Sequence, residues 1–266
     1  MAIAVSDFQS GAAIVQQSTT TSGGQPLYMR RFGAGARIGG MPYLTIVDEV
    51  ALYADAASSA RDFVLLQNQF SSTSGRSAFA KGFAKGLAAG SKGKLKITKT
   101  ITSSPVVLDA GSLSLAVTVV TNEGKLPIAV DVVQADRALS LIILAGMFGQ
   151  KIAHGDAAHL AAAAETHIKA AFTVSSSAAP TISGQAQQGQ TLTVDEGSWI
   201  GAPSSFSYVW ARCDTTGNTC TPIVGATDKT YTLTSADSGS TVRVTVTGTN
   251  TVSSQQAVSA PTAAVS

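Results

Sequence analysis

The sequence predicts two domains, an α+β domain over residues 1–174 and an all-β sandwich over residues 180–266, with a linker at residues 175–179. Before the linker, apolar residues follow both helical and strand-like periods. After it, short alternating runs rich in Thr, Ser, Val and Gly follow one another. The formal charge also changes sign. Residues 1–178 carry fifteen Lys and Arg against eleven Asp and Glu, and the remainder carries three against five.

The composition is that of a globular chain with few charges. Of its 266 residues, 44% are hydrophobic and 13% are charged, and the charged fraction is about half that of an average globular protein. The net charge of +2 predicts no strongly charged partner for the chain as a whole. A membrane-spanning helix needs about 18 consecutive apolar residues. The longest run, ALSLIILAGMF, stops well short of that, so we expect no transmembrane span in this chain.

Three segments of the first domain are predicted to be helices. Residues 55–70 have apolar side chains at helical spacing, with Asp55 placed to cap the first turn. Residues 77–90 repeat an apolar side chain every fourth position and end in glycine, as helices commonly do. Residues 154–172 begin with acidic Asp156 and carry a lysine near their end, which suits the helix dipole.

Strand patterns lie between these helices. Residues 39–54, GGMPYLTIVDEVALYA, read as one strand or as two paired segments. Residues 92–101 alternate as a strand with one solvated face does. Residues 112–148 read as three strands, with turns at NEG and QADR. Such short connections predict an antiparallel sheet with the helices packed on it, hence an α+β domain.

The second domain reads as six or seven short strands. Its alternating runs are QTLTVDEGSW, SFSYVWARC, KTYTLTSAD, STVRVTVTGTN and QQAVSAPTAAV. No helical period interrupts them. This spacing is typical of a β-sandwich.

Cys213 and Cys220 are the only cysteines in the chain. Zinc needs about four ligands, and the nearest histidine, His167, lies in the other domain. A redox pair usually sits two residues apart at the start of a helix, whereas six residues with turn chemistry separate these two. The pattern therefore favours a disulfide that closes a hairpin. Disulfides persist in oxidising compartments, so we expect an extracytoplasmic location.

The second domain resembles the immunoglobulin-like repeats of bacterial surface and secreted proteins, which are common in actinobacteria. The resemblance covers almost all of residues 180–266. It implies an immunoglobulin-like sandwich that acts as a spacer or adhesion unit, with aromatic side chains in the core. The matching residues are Gly197, Trp199, Tyr208, Trp210, Cys213, 223–227, Tyr231, 232–239 and 244–250. The predicted core aromatics are Trp199, Tyr208, Trp210 and Tyr231.

More loosely, residues 5–172 resemble the extracytoplasmic domains of actinobacterial lipoproteins and receptor-kinase sensors. The matching stretches are SDFQSGAAIVQQ, YLTIVDEVALYADAASSARDF, AVDVVQADRALSLIILAG and DAAHLAAAAETHI. The resemblance implies an antiparallel sheet with helices and, in many members, a cleft for an unknown ligand. No binding residue can be carried over.

A basic stretch is the main candidate surface. No acid lies between Phe63 and Leu108, and seven Lys or Arg lie within residues 76–99. The surface could contact an anionic cell-envelope polymer, a lipid or a protein. Nucleic-acid binding is not expected, because no stacking aromatics are interleaved with the charges. The candidate basic residues are Lys81, Lys85, Lys92, Lys94 and Lys96.

The same stretch holds an apolar stripe formed by Phe79, Phe83 and Leu87. We favour packing of this stripe into the domain core, with the lysines solvated. The alternative is an amphipathic helix that lies on a membrane surface.

No catalytic residue is predicted. A G-x-S-x-G elbow and a P-loop are absent from the sequence. The stretch GAGARIGG resembles a dinucleotide-binding glycine motif only superficially, because such a motif directly follows a strand and no clear strand precedes this one. His159 and His167 stand eight residues apart, whereas a helical metal pair needs a spacing of four. We therefore expect no catalytic site, no metal and no cofactor.

The sequence thus predicts a non-enzymatic secreted or cell-envelope protein. Its first domain would bind or sense an unknown ligand, and its immunoglobulin-like module would act as a spacer or adhesion unit. Two alternatives stay open. One is a structural or decoration protein of a phage particle, where such modules also occur. The other is an extracytoplasmic enzyme of unknown class.

Overall fold

The computed structural model divides the chain into two compact units, Met1–Ala170 and Ala171–Ser266. Strands make up 46% and helices 24% of the chain, so the protein is mostly β. The structure describes residues 2, 4–7, 13–22, 25–33, 36–38, 41–91, 94–109, 111–152 and 154–266.

The first unit is built on one antiparallel sheet. Its strands are β1 (Ile14–Ser22), β2 (Gln25–Phe32), β3 (Arg37–Ile38), β4 (Met41–Leu52), β5 (Ile97–Thr102), β6 (Val106–Asp109), β7 (Ser112–Thr121), β8 (Gly124–Ala135) and β9 (Ala138–Gly146). The sheet order is β1-β2-β4-β9-β8-β7-β5, with β3 paired to β4 and β6 paired to β7. The antiparallel hairpins β7–β8 and β8–β9 were predicted from their turns and are confirmed.

Three helices cover this sheet in the described part of the chain: α1 (Ala56–Ser71), α2 (Thr73–Gly90) and α3 (His154–Phe172). The carboxylate of Asp55 accepts a hydrogen bond of 2.7 Å from the Ser58 amide and caps α1, as predicted. Ser72 ends α1 and caps α2, because its hydroxyl accepts from the Gly75 amide at 3.0 Å. No described helix is both long enough and apolar enough to cross a membrane.

The helices α1 and α2 pack on one face of the sheet. Phe63 and Phe70 of α1 are buried there with alternate side chains of β7 and β8. The stripe of Phe79, Phe83 and Leu87 on α2 packs against the same core. The stripe therefore packs into the core of the first unit, as predicted. It does not form the free apolar face that a helix lying on a membrane would need.

The second unit contains three antiparallel sheets. They have the orders β10-β13, β11-β12-β16 and β15-β14-β17-β18. The strands are β10 (Ser175–Ala178), β11 (Thr181–Ser183), β12 (Thr191–Asp195), β13 (Ser198–Ile200), β14 (Ser205–Cys213), β15 (Cys220–Pro222), β16 (Thr230–Thr232), β17 (Thr241–Thr249) and β18 (Ser254–Val258).

Two of these sheets share one core. Leu192 and Val194 of β12 meet Trp210 of β14 and the alternate valines Val242 and Val244 of β17 in a single buried cluster. Sheets that bury their inner faces against each other form the core of a sandwich. The immunoglobulin-like topology of this sandwich stays a prediction.

Most of the predicted linker is ordered as a strand. Residues 175–178 form β10, which pairs with β13. The backbone here finds its hydrogen-bond partners in a neighbouring strand, so the Ser- and Ala-rich composition that suggested a linker did not prevent strand formation.

Candidate functional site

The hairpin between β14 and β15 is closed by a disulfide. Cys213 and Cys220 lie opposite each other in the ladder, and their sulfurs are bonded at 2.00 Å. The Asp214 carboxylate organises the turn, because it accepts hydrogen bonds from the hydroxyl and amide of Thr216 and from the amides of Asn218 and Thr219. These bonds, led by that from the Thr216 side chain, hold the pKa of Asp214 well below its usual value.

Of the four aromatic residues predicted for the sandwich core, one lies in it and three pack against it. Trp210 is fully buried, and its indole nitrogen donates to the Asp228 carbonyl at 2.9 Å. Trp199, Tyr208 and Tyr231 are partly buried against the same cluster. Their polar atoms bond within the fold, to the Glu196 carbonyl from Trp199, to the Glu196 carboxylate from Tyr208 and to the Asp237 carboxylate from Tyr231.

The strongest candidate for binding is a basic groove between α2 and β5. It is an open groove with a volume of about 380 Å³. On the helix side, the groove is lined by the small side chains of Ala84 and Ala88 of α2, which take up little of its space. The residues that line the basic groove are Lys81, Ala84, Lys85, Ala88, Ile97, Thr98, Lys99 and Thr100.

The three lysines of the groove are free to bind an anion. Lys81 and Lys85 lie one turn apart on α2, which places them on the same helix face, and Lys99 comes from β5. All three side chains are exposed. Among the residues that the structure describes, none of the three forms an ion pair. The groove thus concentrates positive charge without an internal counter-charge.

The predicted basic residues are only partly brought together. Lys81 and Lys85 line the groove. Lys94 and Lys96 are exposed just before β5 but do not line it. Lys92 lies outside the described residues. Lys99 was not among the predicted surface residues, although the acid-free stretch extends to it.

A second feature, which the sequence analysis missed, is a set of buried polar side chains on the other sheet face. Asp131 of β8 is fully buried, and neither of its carboxylate oxygens accepts a hydrogen bond within the described residues. Burial raises the pKa of Asp131 to about 7, against a smaller lowering by the nearby Ser114 hydroxyl. A lone Asp inside the apolar run LPIAVDVV was the available clue.

The other buried carboxylates on this face have partners. The Ser140 hydroxyl donates to Asp48 Oδ1 at 2.6 Å. The phenol of fully buried Tyr43 donates to Oδ2 of Asp156, on the first turn of α3, at 2.5 Å. Burial, together with Asp156, raises the pKa of Tyr43. The Tyr43–Asp156 bond joins α3 to β4 of the sheet, so Asp156 does more than favour the start of the helix.

Two histidines of α3, His159 and His167, contact Asp7 near the start of the chain. His159 Nε2 lies 2.9 Å from the Asp7 carbonyl oxygen, and His167 Nε2 lies 3.1 Å from the Asp7 carboxylate. No group of three or more His, Cys, Asp or Glu side chains is placed to bind a metal ion within the described ranges.

Comparisons with known proteins do not assign the chain to a family. No protein-family model matches the chain, and the search of curated proteins finds no match either. The two resemblances stay predictions.

Proposed function

We propose that this chain is an exported, non-enzymatic binding protein of the cell envelope. The first unit would hold an anionic ligand in the basic groove. The second unit would serve as an immunoglobulin-like spacer or adhesion module. The ligand chemistry is a run of carboxylates or phosphates, from an acidic polymer or from anionic lipid headgroups.

The observation that carries the proposal is the set of three exposed, unpaired lysines in one groove. Exposed lysines are usually dispersed or balanced by nearby acids. Here the groove is built from a stretch of chain that contains no acid at all. Such a concentration of one charge raises the local concentration of an oppositely charged ligand and its association rate.

The disulfide supports the location. A hairpin disulfide is maintained outside the reducing cytosol. The aromatic residues of the second unit support a structural role for that module, because their polar atoms form hydrogen bonds within the unit itself.

The test is binding of the full, disulfide-bonded chain to fluorescent poly-L-glutamate and, separately, to phosphatidylglycerol vesicles. An exposed opposite-charge contact contributes up to about 1 kcal/mol. The double variant Lys81→Gln/Lys85→Gln should therefore weaken binding by up to about thirtyfold. Added salt should weaken binding of the wild-type chain as well.

The matched control is Lys125→Gln/Lys151→Gln, which removes two exposed lysines of the same unit outside the groove. The control should bind as the wild type does. Equal loss in both double variants would mean that net charge alone governs binding, and the groove would then not be the site. The more tightly bound probe identifies the source of the anionic groups.

A further inference from the structure

The strand that forms one wall of the basic groove is also an edge of the sheet. In the described part of the chain, β5 pairs with β7 alone, and the sheet order ends at β5. The Ser103 amide, directly after β5, donates to the Ala116 carbonyl of β7 at 3.0 Å. Backbone groups alternate in direction along a strand. Those of Thr100 and Thr102 therefore point away from β7, toward the open edge.

The edge that lines the groove is long enough to pair with a short strand. Neighbouring strands lie about 4.8 Å apart, and a strand rises about 3.3 Å per residue. The part of β5 that lines the groove, residues 97–100, thus offers about 13 Å of edge, enough to pair with about four residues. On the far side, the small side chains Ala84 and Ala88 of α2 leave room for an added chain.

The charges specify what such a chain would carry. Side chains of a strand point alternately to the two sheet faces. Thr100 pairs with Val119, which belongs to the core under α2, whereas Ile101 pairs with Thr118 on the other face. Every second side chain of an added strand would therefore face α2 and its lysines. The alternate side chains would lie beside Ile101, which is 45% exposed, and beside Lys99, which shares its face of the strand.

A second copy of this chain is a poorer occupant. Pairing two β5 edges would bring the lysine-bearing strands side by side, and like charges across a ladder are destabilising. Lysines on an edge strand commonly prevent such self-pairing.

We propose that the basic groove binds an extended acidic peptide segment, which adds to the sheet as a strand beside β5. Acidic residues at every second position would contact Lys81 and Lys85, and apolar residues between them would cover Ile101 and the aliphatic stem of Lys99, which share the other face. The main-chain hydrogen bonds provide affinity, and the lysines select the sequence. This inference rests on the proposed function and names the ligand of the same site.

The probe is a capped, fluorescent hexapeptide of alternating Glu and Val, added to the full chain with its disulfide intact. Two further peptides carry N-methyl groups on every Glu nitrogen or on every Val nitrogen. Both keep the charge and lose the amide hydrogens of one edge. Strand addition requires that at least one of them binds at least tenfold more weakly than the unmodified peptide. Equal binding of all three peptides overturns strand addition but leaves anionic binding in the groove intact.

A protein variant tests the same edge from the other side. Proline is tolerated on edge strands where its missing amide faces solvent. Thr100→Pro should therefore keep the wild-type melting transition and lose at least tenfold in affinity for the unmodified peptide. If this variant does not fold, the N-methylated peptides decide alone.

Three other outcomes would overturn the inference. Vesicle binding that exceeds peptide binding and is unaffected by Thr100→Pro would assign the groove to lipid. A dimer in sedimentation that Thr100→Pro abolishes would assign the edge to a second copy. If poly-L-glutamate binds with the same affinity to wild type and to Lys81→Gln/Lys85→Gln, the proposed function fails together with the inference.

Discussion

Arg212 donates two hydrogen bonds to one oxygen of Asp237, from Nε at 2.8 Å and from Nη2 at 2.6 Å. The other oxygen of Asp237 accepts from the Tyr231 hydroxyl and from the amide and hydroxyl of Thr234. Asp237 is fully buried. Burial raises its pKa, but these hydrogen bonds outweigh burial and hold the pKa below its usual value.

The Asp237→Asn variant should therefore lose about 3 kcal/mol of unfolding free energy in the second unit, because it leaves Arg212 without its charged partner. Both tryptophans, Trp199 and Trp210, lie in this unit, so denaturation followed by tryptophan fluorescence measures its stability. Because the folded pKa of Asp237 is depressed, its contribution is lost as pH falls through that value. A variant whose stability matches wild type at neutral pH would show that this network contributes nothing.

Asp131 should make the first unit less stable as pH rises. Its pKa is raised to about 7 in the folded chain, against about 3.9 when unfolded. The contribution is complete below pH 3.9 and is lost as pH rises through about 7, so stability should fall by about 2 to 3 kcal/mol between pH 5 and pH 8.

Helical circular dichroism during denaturation follows the first unit, since it holds the described α-helices apart from the end of α3. Asp131→Asn should flatten the pH dependence and be more stable than wild type at pH 8. A wild-type chain with the same stability at both pH values would contradict a buried, unpaired carboxyl at this position.

Replacing either of two glycines in α2 by alanine should stabilise the first unit. An added Cβ at Gly82 or Gly86 would meet no atom within 4 Å, and alanine in a helix interior is about 1 kcal/mol more favourable than glycine. Gly82→Ala and Gly86→Ala should each stabilise the first unit by up to about 1 kcal/mol. Gly75→Ala is the contrasting variant. Its Cβ would lie 2.1 Å from the Gln69 carbonyl oxygen, so it should destabilise the junction of α1 and α2.

The disulfide should stabilise the second unit measurably. On the chain-entropy account, closing a loop of about eight residues contributes about 2.5 kcal/mol. The Cys213→Ser/Cys220→Ser variant should lose about that amount when unfolding is followed by tryptophan fluorescence. Mass spectrometry after alkylation, with and without reductant, checks the bond itself. Two free thiols in protein purified from its native host would contradict both the bond and the proposed compartment.

Local features of the fold could be read from the sequence because they depend on neighbouring residues. Asp55 caps α1, the NEG turn joins β7 to β8, and the Cys213–Cys220 pair closes its hairpin. Each of these depends on residues fewer than ten positions apart, whose turn or capping chemistry is independent of the rest of the fold.

Long-range features could not be read in this way. β4 pairs with β9, about ninety residues further along the chain, and β1 to β3 carry too little alternation to be recognised. The basic groove joins Lys85 of α2 to Lys99 of β5. Because residues 91–96 separate these elements, sequence spacing indicated a basic stretch but not which lysines share a wall. Asp131 stands out in the apolar run LPIAVDVV, but the sequence does not show whether another element supplies a partner for its carboxylate.

The most direct test of the basic groove is the acetylation rate of each lysine, measured by mass spectrometry with and without poly-L-glutamate. A ligand in the groove should slow acetylation of Lys81, Lys85 and Lys99. The rates at Lys125 and Lys151 should stay unchanged, since neither lines the groove. Uniform slowing of all five lysines, or protection confined to Lys125 and Lys151 while poly-L-glutamate is bound, would contradict the account.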